Sequence, residues 1–223
     1  MYCYKLILYK AEGGYMFGKH RKQSAIVDLK EYIRENYGAG YTESESGTVE
    51  PKIQTFLMKD MEKAACNCSI VAMTRILAFY RDNEGKDQIP GNKKLYNDIK
   101  SIAAIFGYDM EKGTNPVKIN NILNYMLTKY GYSGKGKSTY ILNFKTVKEQ
   151  IDAGRPLILN IAFGYYRDHT VSVVGYNEFS KGTGRFKKKK RFIKVYDGWT
   201  DKNTYIDYDR INIASFSKVK FDS

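Results

Sequence analysis

Apolar residues recur at helical spacing through most of the chain and then change to alternation after Pro156. Ile26, Leu29, Ile33 and Tyr37 share one face of a predicted helix from Ser24, its N-cap, to Tyr37, with Gly38 behind it. Ile70, Val71, Met73, Ile76, Leu77 and Tyr80 do the same behind Cys68, which predicts an amphipathic helix starting at that cysteine. A further helix is expected over Asn92–Phe106, with Leu95, Ile99, Ile102 and Phe106 inward and Gly107 as its stop. Another opens at Asn115-Pro116, cap and first-turn proline, and runs to Tyr130 ahead of Gly131. Thr146-Val147-Lys148-Glu149 reads as a capping box opening a short helix that Gly154 closes. From there Leu157–Phe163, Thr170–Tyr176, Phe192–Asp197, Thr204–Tyr208 and Ile211–Phe216 are strand-like, and Met1–Lys10 alternates as a strand that Gly13-Gly14 ends. Helices first and antiparallel strands later predict an α+β fold, a helical half packed on a sheet.

The polar run Tyr41–Val49 is the strongest linker signal. It divides an N-terminal β-α extension, residues 1–47, from a main domain over residues 48–223. The extension is expected to be either a removable pro-segment or an integral strand and helix added to the domain.

Composition narrows the possibilities. A hydrophobic content of 43% with 20 tyrosines excludes wholesale disorder and fits half-buried strands. No apolar run is long enough to span a membrane, and Met1–Lys10 lacks the apolar core and cleavage site of a leader, so no signal peptide is expected; the compartment, export included, is left open. The net charge of +13 makes anionic polymers and acidic protein surfaces candidate partners. Much of the excess lies in Lys187–Arg191, between two predicted strands, where a solvated hairpin tip is the simplest reading. Nucleic acid is disfavoured, because basic residues interleaved with aromatics and zinc-ligand spacing are both missing. Three cysteines are too few for a disulfide framework, and no Cys/His cluster completes a metal site, so neither metal nor cofactor is expected.

Chemistry concentrates at Cys68. The first turn of a helix presents unpartnered N–H groups with about half a positive charge, which favours a thiolate and offers donors to an oxyanion. Cys68 is therefore a candidate nucleophile, against the plainer reading of a small apolar residue at a helix start. It is expected to have a depressed pKa and to out-react Cys3 and Cys66. A nucleophilic cysteine needs a base and a group to orient that base. His20 stands among Lys19, Arg21 and Lys22 in a loop; His169 opens an alternating strand that holds its ring in a fixed direction.

The order of these residues resembles a known family. Asp168-His169-Thr170-Val171-Ser172-Val173-Val174-Gly175-Tyr176 looks like the histidine strand of papain-like cysteine peptidases. Phe192–Asp197 followed by Gly198-Trp199 looks like the next strand, with the histidine's acidic partner and then the only tryptophan of the chain. Cys68 to Tyr80 resembles the cysteine helix of the bacterial branch, which includes streptopain and the peptidases that process bacteriocin leaders, and the Gly154-Arg155-Pro156 turn is common there. The resemblance covers Cys68 to about Tyr208. It implies a papain-like fold, a peptide or protein substrate, and a triad in which Cys68 is nucleophile, His169 base and Asp197 the acid on the other ring nitrogen, with Cys66 a rival nucleophile and Trp199 beside the site. The family's oxyanion glutamine has Glu62 in its place, so Gln54 and Asn67 are the substitute donors to consider. Transglutaminases and arylamine acetyltransferases use the same three residue types in the same order, which keeps acyl transfer as an alternative. A catalytically inactive, basic peptide-binding module is another.

Overall fold

The computed structural model describes residues 25–63, 66–141, 143–162, 166–211 and 213–222. The strand expected over Met1–Lys10, the Ser24 cap and His20 lie outside the described residues. Among the described residues six helices and a seven-stranded antiparallel sheet make up the fold, and the α+β expectation is met. The helices are α1 (Leu29–Tyr37), the single turn α2 (Met58–Met61), α3 (Cys68–Asn83), α4 (Asn92–Ile105), α5 (Ile119–Lys129, entered through a 3-10 turn at Pro116–Lys118) and α6 (Phe144–Asp152). The strands are β1 (Thr42–Thr48), β2 (Gly134–Thr139), β3 (Leu157–Ile161), β4 (His169–Lys181), β5 (Lys188–Tyr196), β6 (Thr204–Asp207) and β7 (Ala214–Phe221). Among the described residues no helix is long and apolar enough to cross a membrane.

The sheet runs β2-β7-β3-β4-β5-β6, and β4 is its spine. Its first half pairs with β3, from Ile161↔His169 to Leu157↔Val173, and its second half with β1 on the same edge, from Thr48↔Gly175 to Thr42↔Ser180. β5 takes the opposite edge. The junction of β1 with β4 needs two glycines, because a Cβ on Gly175 would stand 2.6 Å from the Gly47 carbonyl and one on Gly47 2.6 Å from the Tyr176 ring.

The helix expected to be amphipathic is buried on every side: each residue of α3 from Cys68 to Tyr80 is shielded from solvent. A helix apolar all round belongs in the middle of a core, and α3 lies between the β3–β4 face of the sheet and α4. That position fixes Cys68 against the start of β4.

Three local expectations are corrected. Helix α6 is capped by Asn143, whose side chain accepts from the Lys145 N–H at 3.0 Å, so it opens one turn earlier than a box at Thr146 would allow. The run Tyr41–Val49 is no linker. Its Thr42–Thr48 segment is β1, laddered to β4 with nearly all its side chains exposed. Helix α1, with Asp28 in place of Ser24 as its cap, then lays Leu29 and Ile33, with Ile26, over Phe179 and Phe192 of the sheet. The Tyr32 and Tyr37 hydroxyls both donate to the Asp207 carboxylate, and Arg210 Nη1 donates to the Tyr32 hydroxyl at 3.0 Å.

A chain starting at Val49 would lose the β1 ladder and expose that cluster. Each large apolar side chain uncovered costs about 1.5–3 kcal/mol, so a product melting at least about 10 °C lower, or insoluble, is expected. Thermal denaturation followed by circular dichroism checks this; an unchanged melting temperature would identify residues 1–48 as a removable cover.

Candidate active site

The segment before α3 is anchored by a polar relay. Asn67 Nδ2 donates to the Met58 carbonyl at 3.2 Å and to the Tyr96 hydroxyl at 2.9 Å, Tyr96 donates to Glu62 at 3.0 Å, and Lys100 pairs with Glu62 at 2.6 Å. These contacts tie the helix start to α4 and hold Cys68 at the first helical position. Cys66 is turned elsewhere: its N–H donates to the Met110 carbonyl at 2.8 Å and its thiol to the Glu111 carbonyl at 3.0 Å.

The Cys68 thiol meets the residue after His169. Burial pushes its pKa up, and the nearby N–H groups of Thr170 and Ser69 pull it partly back. The depressed value expected from the helix terminus is therefore overturned. Desolvation of the buried sulfur outweighs the dipole, and the thiol needs a base to remove its proton.

His169 supplies an imidazole in a defined state. Its Nε2 lies 2.7 Å from the main-chain carbonyl of Asp197. A carbonyl only accepts, so in the neutral ring the proton sits on Nε2 and Nδ1 is the basic nitrogen. Trp199 stacks on the imidazole with centroids 4.1 Å apart and planes 23° apart, and Tyr166 lies roughly parallel at 5.9 Å.

Asp197 itself differs from expectation. Its Oδ1 accepts from the N–H groups of Trp199 and Thr200 at 2.9 and 3.1 Å, and Oδ2 accepts from the Tyr166 hydroxyl at 3.4 Å. The carboxylate thus closes the turn that follows β5, while the contact with His169 is made by the carbonyl of the same residue. Gly198 completes the turn at φ 83°, and its carbonyl accepts from Met58 N–H at 2.9 Å, which pins the loop to α2.

Arg75 was not anticipated from the sequence. It stands two turns after Cys68 on the same face of α3 and is 1% exposed. Nη1 donates to the Tyr196 carbonyl at 3.2 Å and Nη2 to the Phe56 carbonyl, with the guanidinium over both rings. Burial lowers its pKa to about 10, opposed by the negative charge of Asp197, so it stays cationic at neutral pH. Its signal was available: a lone charge inside the apolar run Ile70–Tyr80.

Comparison with known families matches residues 50–221 to the model described as Peptidase_C39 like family. The chain belongs to that family. No curated protein matches the chain. Membership in the Peptidase_C39 like family places the chain among relatives of the papain-like cysteine peptidases, and its α+β architecture agrees with a papain-like fold. The family match begins just after β1, leaving α1 and β1 outside it.

Of the residues expected at a papain-like site, the fold brings His169, Asp197 and Trp199 into contact, sets Cys68 against Thr170, the residue after His169, and leaves Gln54 out. Gln54 Nε2 donates to Asp82 at 2.5 Å and its Oε1 accepts from Asn92. Asp82 is near the far end of α3, about 21 Å along the helix from Cys68, so Gln54 serves no oxyanion at the cysteine. Asn67 is adjacent to Cys68, but its side-chain donors are committed to Met58 and Tyr96. Thr170, unremarked in the sequence beyond its strand position, lies near the thiol together with Ser69. Among the described residues no group of His, Cys, Asp and Glu is arranged to hold a metal ion.

Proposed function

We propose that the chain is a thiol peptidase in which Cys68 attacks the peptide carbonyl, with His169 as base and Asp197 as the residue that orients it. The observation that carries this reading is the His169 Nε2–Asp197 carbonyl bond at 2.7 Å. It makes Nδ1 the basic nitrogen, on a residue whose neighbour Thr170 lies near the Cys68 thiol. Nδ1 takes the thiol proton as sulfur adds to the carbonyl, and the imidazolium returns that proton to the leaving amine. Water then attacks the thioester with Nδ1 again as base. With Gln54 remote and Asn67 committed, the oxyanion falls to first-turn N–H groups of α3, which a helix cannot pair internally. The resemblance to bacterial papain-like enzymes supports the same assignment of roles.

The test is incubation of the full chain with an unstructured protein substrate, a thiol-directed irreversible probe and an added primary amine, followed by peptide mapping and product analysis. Modification of Cys68 with loss of hydrolysis is expected, the released acyl group going to water. Preferential labelling of the amine would make the chain an acyltransferase, and an unmodified Cys68 in a folded, inactive chain would make it a binding module.

The geometry at Asp197 carries its own prediction. Asp197→Asn keeps an acceptor for Trp199 and Thr200, so the turn and its carbonyl persist, and kcat/KM is expected to fall by no more than about tenfold. Asp197→Ala removes the turn's closure and is expected to cost at least about a hundredfold. A loss near ten-thousandfold in Asp197→Asn would instead show that the carboxylate orients the imidazole directly.

A further inference from the structure

The hairpin joining β4 to β5 ends far from the site. His169 and Lys181 are the two ends of β4, about 40 Å apart along an extended strand. Residues 181–189 are all exposed and contain five cations and no acid. Lys189 is paired with Glu178 and Lys181 donates to the Ala39 carbonyl, both at 2.6 Å, whereas Arg185, Lys187 and Lys188 meet no acid among the described residues. Phe186, 72% exposed, stands in the middle of them. It is held there by a 3-10 turn over Gly184–Phe186, in which the Phe186 N–H donates to the Thr183 carbonyl and the Lys187 N–H to the Gly184 carbonyl, both at 3.2 Å. The tip thus combines an exposed aromatic ring at its centre with a basic rim.

We propose that this tip is a docking device for an anionic lipid membrane, in which Phe186 enters the headgroup region and Arg185, Lys187 and Lys188 lie against the lipid phosphates. Long cationic side chains around an aromatic ring match that interface, with apolar stems and ring inward and charges at phosphate level. A nucleic-acid platform fits less well. Stacking needs an open ring face beside a groove that tracks the backbone, but the tip is a single protruding turn and the Arg185 guanidinium lies 5.0 Å from the Phe186 ring centroid. A purely polyanionic partner would leave the ring unused. Docking at the tip puts the membrane at the opposite end of β4 from Cys68 and His169, so the site stays open to substrate.

The test is co-sedimentation of the full chain with vesicles of phosphatidylcholine alone and with about one third phosphatidylglycerol added. Binding to the anionic vesicles only is expected. It should weaken at least about tenfold in Phe186→Ser and about a hundredfold when Arg185, Lys187 and Lys188 become Gln, and should persist when the distant Lys135 and Lys137 become Gln. In a Phe186→Trp, Trp199→Phe variant, emission should shift to the blue on adding anionic vesicles. Circular dichroism confirms folding of each variant. No sedimentation of the unaltered chain, equal binding to neutral vesicles, indifference to Phe186→Ser, or equal loss in the Lys135/Lys137 variant would each overturn the proposal.

Discussion

Cys68→Ala is expected to bring peptide hydrolysis down to the uncatalysed background, a loss of at least about ten-thousandfold, with little change in fold. The sulfur is a small buried group whose contacts are a few hydrogen bonds at a helix start, so its removal costs on the order of 1–2 kcal/mol. Cys66→Ala separates the two neighbouring thiols. Cys66 donates to the Glu111 carbonyl, on the 109–113 turn, and its loss should leave kcat within about threefold of the parent while slightly loosening that turn. Steady-state kinetics and melting curves on both variants provide the check. Activity surviving in Cys68→Ala would end the assignment of the nucleophile, and activity lost only in Cys66→Ala would transfer it.

Arg75→Ala should produce the largest loss of stability of any single change near the site, about 3–5 kcal/mol, or roughly 10 °C in melting temperature for a chain of this length. Three effects add. The Tyr196 and Phe56 carbonyls lose their donors inside the core, the volume of a large fully buried side chain is vacated, and Asp197 loses the cation that offsets its charge. Arg75→Met refills the volume but returns neither donor nor charge, so it should recover only part of the loss. Activity is expected to fall further than stability alone requires, because Tyr196 precedes the residue whose carbonyl fixes His169. A melting temperature within about 2 °C of the parent in Arg75→Ala would show that the guanidinium's desolvation cancels its bonds.

What could be read from the sequence was what side-chain chemistry and periodicity encode. The cysteine helix, the histidine strand and the Asp197-Gly198-Trp199 turn each announce themselves by residue type, and their order in the chain supplies the rest. Features carried by the backbone were invisible. β1 reads as a linker because Thr42–Thr48 is polar throughout, and it holds its place in the sheet through the main-chain ladder to β4. β2, Gly-Lys-Gly-Lys-Ser-Thr, is hidden for the same reason. The contact with His169 was assigned to the Asp197 carboxylate because residue identity points to side chains, whereas the fold uses the carbonyl of the same residue. Gln54 was proposed for its chemistry alone, and only the path of the chain from Val49 to Met58 shows that it faces the wrong end of α3.

The stack of Trp199 on His169 has an optical consequence. With a single tryptophan in the chain, essentially all indole emission originates within 4.1 Å of the imidazole centre. Indole light from the intact protein therefore reports on one place. A substrate fragment settling beside Cys68, or a thioester forming there, would alter the surroundings of that indole without competition from any other, so events at the site can be timed in the unlabelled molecule.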